Sequence, residues 1–165
     1  IHSDVFTHKT EINGVAINLD NETEIRKKGN EFLKISDKKQ IITQAMIQDN
    51  GVEILAGISL DDSFGLCMSI GLGGIFVETL KEIKRVLPPV SPEIVSKLIE
   101  KLKGADVFDG FRGNKKLHLK SLAKSISNLS LMAVELSDLI LEVDINPIIV
   151  TSKGAYAVDI RIFLK

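Results

Sequence analysis

The sequence predicts an α+β domain in which helices lie on an antiparallel or mixed β-sheet. Strand-like runs in the first half of the chain are joined by short turns, and two stretches after residue 90 have the apolar spacing of helices. The chain then closes on a pair of strands. With 165 residues, of which 44% are hydrophobic and 26% charged, it can bury a core as one domain. A two-layer α+β arrangement follows from this pattern.

Composition and charge exclude several function classes. The formal net charge of −1 and the lack of a basic block give no electrostatic basis for binding nucleic acid. No apolar run is long enough to predict a membrane span. The single cysteine, Cys67, rules out an intramolecular disulfide and is typical of a reducing compartment, so a cytoplasmic protein is predicted. One cysteine and three scattered histidines offer no zinc-ligand spacing.

The first third of the chain predicts two strands around one helix. Residues 15–19 are strand-like, and Asn21 is a suitable N-cap for a helix through about Leu33. Gly29 should weaken that helix. Residues 40–47 are rich in Ile and Thr, which favours a strand.

The middle of the chain predicts a meander of antiparallel strands. After the segment 40–47, residues 52–60 and 64–70 are strand-like and are separated by short polar turns. A glycine cluster at residues 71–74 interrupts the pattern. Residues 75–87 are ambiguous because their apolar positions fit both a helical spacing and a strand alternation.

Two helices are predicted after the diproline at residues 88–89. Ser91 is an N-cap candidate with Pro92 at the first helical position, and Gly104 is a plausible terminator. Residues 119–136 form the second helix, which carries one continuous apolar face.

The closing segment, residues 142–161, predicts a hairpin with a turn near Lys153. Glu142, Asp144 and Asn146 are spaced by two residues and should therefore share one face of the first strand. The turn should bring Asn146 close to Asp159. Clustered oxygen ligands suit a hard cation such as Mg²⁺ together with substrate phosphates. An edge hairpin whose polar face simply meets water is the alternative.

Three other features could carry chemistry. Glycine-rich loops allow backbone N–H groups to approach phosphates, which makes residues 71–74 and 8–14 candidates; Lys9 adds a charge and His8 a possible nucleophile. Glu53 faces away from its apolar neighbours and could contact a ribose or a metal. The structural alternatives are a plain turn, a surface histidine and a solvated strand face.

Taken in chain order, five segments closely resemble the ATP-grasp region of ADP-forming acyl-CoA synthetases: HKTEINGV, GVEILAGISLDDSFG, GLGGIFVETLKEIKRVLPP, DGFRGN and EVDINPIIVTSKGAYAVDIR. The resemblance is nearest to acetyl-CoA synthetase (ADP-forming) beta subunits and is more distant for succinyl-CoA synthetase beta chains. It covers almost the whole chain. It implies the C-terminal part of an ATP-grasp fold, with residues 1–165 as a single partial domain. The N-terminal part of the grasp fold and the CoA-binding domains are expected outside this segment, which should be inactive alone.

The resemblance also implies a function. An acid–thiol ligase of this kind interconverts acyl-CoA, ADP and phosphate with the free acid, CoA and ATP through a phosphohistidine, using Mg²⁺ and ATP/ADP. Its partner would be a CoA-binding or ligase alpha subunit, or fused domains, in a hetero-oligomer. Asn146 and Asp159 would bind Mg²⁺, Asp144 would lie near the phosphohistidine, and His8, beside Lys9, would take up phosphate.

Seven residues would bind the nucleotide, with Gln44 and Met46 in an adenine-receiving hinge: Lys9, Gln44, Met46, Glu53, Gly71, Gly73 and Gly74. Two other interpretations stay open. The chain could be a synthetase-like regulatory region of a protein acetyltransferase, or a degenerate grasp domain that acts as a subunit-interaction module. The module has no need for the set His8, Asp144, Asn146 and Asp159, which argues against it.

Overall fold

The computed structural model describes residues 14–35, 40–49, 51–74, 82–110 and 115–165. Contacts divide the chain into two compact units, residues 1–48 and 49–165, and each is described by itself. No helix in these described ranges is long and apolar enough to cross a membrane.

The part of the first unit that the structure describes contains one helix, α1, Glu22–Ile35. The side-chain oxygen of Asn21 accepts a hydrogen bond from the Glu24 N–H at 3.0 Å, so the predicted N-cap is confirmed. Gly29 is buried within the helix. A Cβ at Gly29 would lie 3.0 Å from Cδ1 of Ile41, so the absence of a side chain there allows the segment after the helix to pack closely.

The prediction of strands at residues 15–19 and 40–47 is wrong. Only Val15 and Ile42 form isolated bridges, and the other described residues of both segments have no regular structure. The side chains of Ile17 and Ile42 remain 63% and 39% exposed. Strand propensity reflects packing on a half-buried sheet surface, and these side chains are not packed in that way.

The second unit is built on a six-stranded sheet. Its strands are β1 Val52–Asp61, β2 Gly65–Leu72, β3 Ile83–Val86, β4 Ile140–Val150, β5 Ala155–Ala157 and β6 Ile160–Leu164. Every pairing is antiparallel, and the strand order is β3-β2-β1-β4-β5, with β6 also paired to β4. The meander therefore consists of β1, β2 and β3, and the ambiguous segment is a strand at β3. Residues 75–81 lie outside the described residues.

Among the described residues of this unit, two helices cover the sheet, α2 Pro92–Glu100 and α3 Leu119–Glu135, with a 3₁₀ helix, Ala105–Asp109, between them. Ser91 caps α2 by accepting the Ile94 N–H at 3.4 Å, as predicted. Nδ1 of His118 caps α3 by accepting the Ser121 N–H at 3.1 Å. The two helices pack against each other and contact the sheet.

The sheet is buried on one face and open on the other. Ile54, Ala56 and Ile58 of β1 are buried, whereas Glu53 and Ser59 are exposed. The same buried face continues through β2 and β4 and is joined to the apolar residues of α2 and α3 in one cluster. This arrangement confirms the predicted two-layer α+β class, in which one sheet face packs on the helices and the other carries polar residues.

Candidate functional site

The polar residues of β4 project from the open face of the sheet. Val143 and Ile145 are buried, Glu142 and Asn146 are exposed, and Asp144 is half-buried. The spacing of two residues therefore placed the three polar side chains on one face, as the sequence predicted.

The hairpin register brings the predicted metal ligands together. The backbone N–H of Asn146 donates to the carbonyl oxygen of Asp159 at 3.0 Å. The preceding residue pair on the same face is Asp144 with Arg161. Directly opposed residues in an antiparallel pair have Cβ atoms about 4.5–5.5 Å apart. The prediction that the turn brings Asn146 to Asp159 is thus confirmed.

Arg161 lies beside this pair. Its Nη2 is 3.8 Å from Oδ2 of Asp159, and both side chains are about one third exposed, at 37% and 35%. Arg161 is also the strand partner of Asp144. A cation beside two acidic residues lowers their mutual repulsion.

A β-bulge sets the direction of Asn146. The register of β4 on β1 changes between the pairs of Ile54 and Ala56, so that Asn146 and Pro147 both lie opposite Leu55. Bulges of this kind change the direction of a side chain and are common beside functional sites. Here the bulge allows Asn146 to be exposed while Ile148, two residues later, is buried.

The donor set of Asn146 and Asp159 fits a hard cation. An amide oxygen and a carboxylate oxygen are both ligand types that Mg²⁺ prefers. Within the ranges that the structure describes, no three His, Cys, Asp or Glu side chains form a metal-binding group. A Mg²⁺ at this pair would therefore have few protein ligands and would take most of its coordination from phosphates and water.

Glu53 and two of the predicted glycines form a second element of the open face. The Gly73 N–H donates to the Glu53 carbonyl oxygen at 2.6 Å. A Cβ on Gly73 would lie 2.9 Å from Cβ of Glu53, and a Cβ on Gly74 would lie 2.8 Å from the carboxylate atom Oε2 of Glu53. Gly71 differs from them, because it belongs to β2 and pairs with Leu55.

The other predicted site residues lie in the first unit or outside the described residues. Gln44 and Met46 belong to the first unit, in a segment without regular structure, and both are exposed. His8 and Lys9 lie outside the described residues.

Sequence reasoning missed Gly57, which pairs with Asp144 on one side and with Ser69 on the other. Ser69 pairs in turn with Arg85. These four residues form a row across β4, β1, β2 and β3. Gly57 has no side chain and Ser69 has a small one, so little side-chain volume covers the sheet between Asp144 and Arg85. The available signal was the spacing of four residues between Glu53 and Gly57, which puts both on one face of β1.

Comparisons with known proteins agree with this architecture. Residues 1–164 match the ATP-grasp domain family. The chain is 34% identical over 164 residues to the beta subunit of acetate–CoA ligase [ADP-forming] I from Pyrococcus furiosus, covering 95% of this chain and 70% of that protein. It is 31% identical to 4-hydroxybutyrate–CoA ligase [ADP-forming] from Nitrosopumilus maritimus, of which it spans only 24%.

A solved structure shows the same fold. Acetyl-coenzyme A synthetase 1 of Candidatus Korarchaeum cryptofilum, in complex with coenzyme A and Mg-AMPPCP, superposes with a TM-score of 0.81 at 30% identity. The match covers 100% of this chain and 74% of that one, whose phosphohistidine segment points towards the nucleotide-binding site. The chain therefore belongs to the ATP-grasp family, and within it to the ADP-forming acyl-CoA synthetases.

Proposed function

We propose that this chain is the nucleotide-binding part of an enzyme that interconverts acyl-CoA, ADP and phosphate with the free acid, CoA and ATP. The observation that carries the proposal is the meeting of Asn146 and Asp159 on the open face, with Asp144 two residues away on the same strand. An interaction surface has no need for an amide and a carboxylate held opposite each other beside a second carboxylate. A site that handles Mg²⁺-nucleotide phosphates does.

In this proposal Asn146 and Asp159 hold the Mg²⁺ that accompanies the nucleotide. When bound, the ion neutralises the charge crowded on the phosphate oxygens. Asp144 is placed to orient an incoming imidazole and to stabilise its positive charge once it is phosphorylated. Arg161, opposite Asp144, keeps this acidic row from repelling the phosphates.

His8 is proposed to carry the phosphoryl group, with Lys9 beside it as a counter-charge for the phosphate. In the direction of ATP synthesis, the N–P bond of the phosphohistidine breaks while a β-phosphate oxygen of ADP forms the new O–P bond. The imidazole leaves neutral and ready for the next phosphoryl group. The protein supplies mainly position and charge to this transfer.

Glu53, Gly71, Gly73 and Gly74 are proposed to line the nucleotide site, and the exposed segment with Gln44 and Met46 to receive the adenine. The CoA chemistry belongs to a partner alpha subunit or to fused domains. Support comes from the relatives, one a separate beta subunit and the other a protein of which this chain spans 24%. We place residues 1–165 in a single partial grasp domain of a cytoplasmic hetero-oligomer, the location resting on the one cysteine.

The test uses the full-length protein with its CoA-binding partner, ATP radiolabelled at the γ-phosphate, and Mg²⁺. The wild type should take up acid-labile, base-stable label, and His8→Ala should take up none. His118→Ala is the matched control, because it removes an exposed histidine whose role is to cap α3, and it should keep the label. Unchanged labelling of His8→Ala would remove His8 from the mechanism. A wild type that neither takes up label nor forms ATP from any acyl-CoA, ADP and phosphate would contradict the function.

A further inference from the structure

We infer that Gly74 acts on nucleotide binding through Glu53, as a positioning residue. The inference rests on the proposed function, since Glu53 is assigned there to the nucleotide. It changes the role that a glycine-rich loop normally suggests. In such a loop the backbone N–H groups cradle phosphate oxygens.

The hydrogen bonding around Gly73 argues against a phosphate cradle. Its N–H is already given to the carbonyl oxygen of Glu53 at 2.6 Å, so it extends the ladder between β1 and β2. A donor committed to the sheet is not available to an anion. The presence of glycine at residues 73 and 74 is better explained by the atoms with which a side chain would clash.

Each of the two glycines has a different reason to lack a side chain. A Cβ on Gly73 would meet Cβ, C and O of Glu53 at 2.9–3.1 Å, and two of these atoms belong to the backbone. A Cβ on Gly74 would meet the carboxylate, at 2.8 Å from Oε2 and 3.4 Å from Cδ. Gly73 therefore permits the close approach of two strands, whereas Gly74 leaves room for the carboxylate itself.

The conformation of Gly74 points the same way. Its φ of +59° is left-handed, so the chain turns there directly beside Oε2 of Glu53. Glu53 is exposed on the open face, and its carboxylate lies beside the position that a Cβ on Gly74 would occupy. A methyl group at residue 74 would displace the end of a flexible side chain while the sheet stays intact.

A double-mutant cycle tests this inference in the full-length protein with its partner, with the Kd of Mg-ADP as the readout. Gly74→Ala and Glu53→Ala should each weaken binding about 10- to 100-fold, as expected for losing a well-placed hydrogen bond to a charged group. The double variant should be no weaker than Glu53→Ala, because the methyl group then has no carboxylate to displace. Additive losses, or a Gly74→Ala variant with wild-type affinity, would overturn the inference.

Two controls separate this effect from backbone strain. Gly65 has a φ of +73°, and a Cβ added to it would have no neighbouring atom within 4 Å. Gly65→Ala therefore imposes the same left-handed strain without a contact and should bind Mg-ADP as the wild type does. Gly74→Asn tolerates the left-handed backbone but keeps a Cβ, so it should bind as weakly as Gly74→Ala. Recovery of wild-type affinity in Gly74→Asn would assign the effect to strain and would refute the inference.

The KM values for the two substrates distinguish a local effect at the nucleotide site from a general loss of structure. Gly74→Ala should raise the KM for ADP and leave the KM for acyl-CoA unchanged. The methyl group of Gly73→Ala would clash with the backbone C and O atoms of Glu53. Adding Glu53→Ala should therefore not reverse the effect of Gly73→Ala on Mg-ADP binding. If the wild type itself binds no Mg-ADP, the proposed function fails together with this inference. An additive cycle in a wild type that binds Mg-ADP refutes the inference alone.

Discussion

Replacing Asp159 with asparagine should weaken the proposed Mg²⁺ site and leave the stability of the fold almost unchanged. The substitution keeps the size of the side chain and removes its charge. It leaves the backbone bond from Asn146 to the Asp159 carbonyl, since that bond does not involve the side chain. The ion pair with Arg161 spans 3.8 Å between side chains that are about one third exposed. Solvent screening limits such a pair to at most about 1 kcal/mol.

The effect on nucleotide binding should be larger than the effect on stability. With only Asn146 and Asp159 as proposed protein ligands, loss of one carboxylate removes the only negative charge of the pair. Charge-assisted interactions contribute about 1.5–3 kcal/mol, which corresponds to a Kd for Mg-ADP raised about 10- to 100-fold. Additional Mg²⁺ should recover part of the affinity, because the lost interaction is with the ion.

Calorimetric titration of Mg-ADP into the full-length protein with its partner measures this difference, and thermal melting measures stability in parallel. Asp109→Asn is the control: it removes a surface carboxylate that is ion-paired to Lys116 at 2.9 Å and lies in the 3₁₀ helix. It should bind Mg-ADP as the wild type does. Wild-type affinity in Asp159→Asn, or a loss of affinity that simply follows unfolding, would refute the reasoning.

Two further predictions concern the fold. Ser130 is fully buried and its Oγ accepts the Val90 N–H at 3.0 Å. Ser130→Ala should therefore lower the free energy of unfolding, measured by urea denaturation, by about 1–3 kcal/mol. Ser125 is exposed, so Ser125→Ala should lower it by less than about 0.5 kcal/mol, and equal losses would contradict this prediction. The hydrogen bond from Lys84 holds the pKa of Glu82 below its usual 4.5. The ionised Glu82 therefore stabilises the fold above that pH, and this contribution is lost as the pH falls through the lowered pKa. The melting difference between wild type and Glu82→Gln should therefore shrink in acid, and a difference independent of pH would contradict the assignment.

Local patterns predicted the second unit well because its alternation matches a real core. Residues 52–60 were predicted as a strand, and β1 has Ile54, Ala56 and Ile58 buried on one face. The caps at Ser91 and Asn21 were also readable, since a cap depends on residues within one turn. Residues 40–47 have the same strand-like composition but form only an isolated bridge at Ile42 within the described ranges, and a single sequence does not show which strand partners are present.

The candidate site was predictable only where it is local. The spacing of Glu142, Asp144 and Asn146 and a turn near Lys153 were enough to bring Asn146 to Asp159. Contacts between distant segments were not readable in this way. Gly74 and Glu53 are about twenty positions apart in the sequence. A local pattern could therefore suggest a glycine-rich loop but could not show that the Glu53 carboxylate lies beside it.

The bulge in β4 resolves a conflict between the core and the site. Strict alternation starting from buried Ile145 would place Asn146 on the open face and then Ile148 and Val150 on the same open face. The structure instead buries Ile148 and Val150 to 2% and 0% exposure. One extra residue, opposite Leu55, reverses the alternation after Asn146. Proline lacks the N–H that a regular ladder needs, so Pro147 suits this interruption. The bulge therefore lets one strand present Asn146, the proposed metal ligand, on the open face and continue the apolar core on the other face.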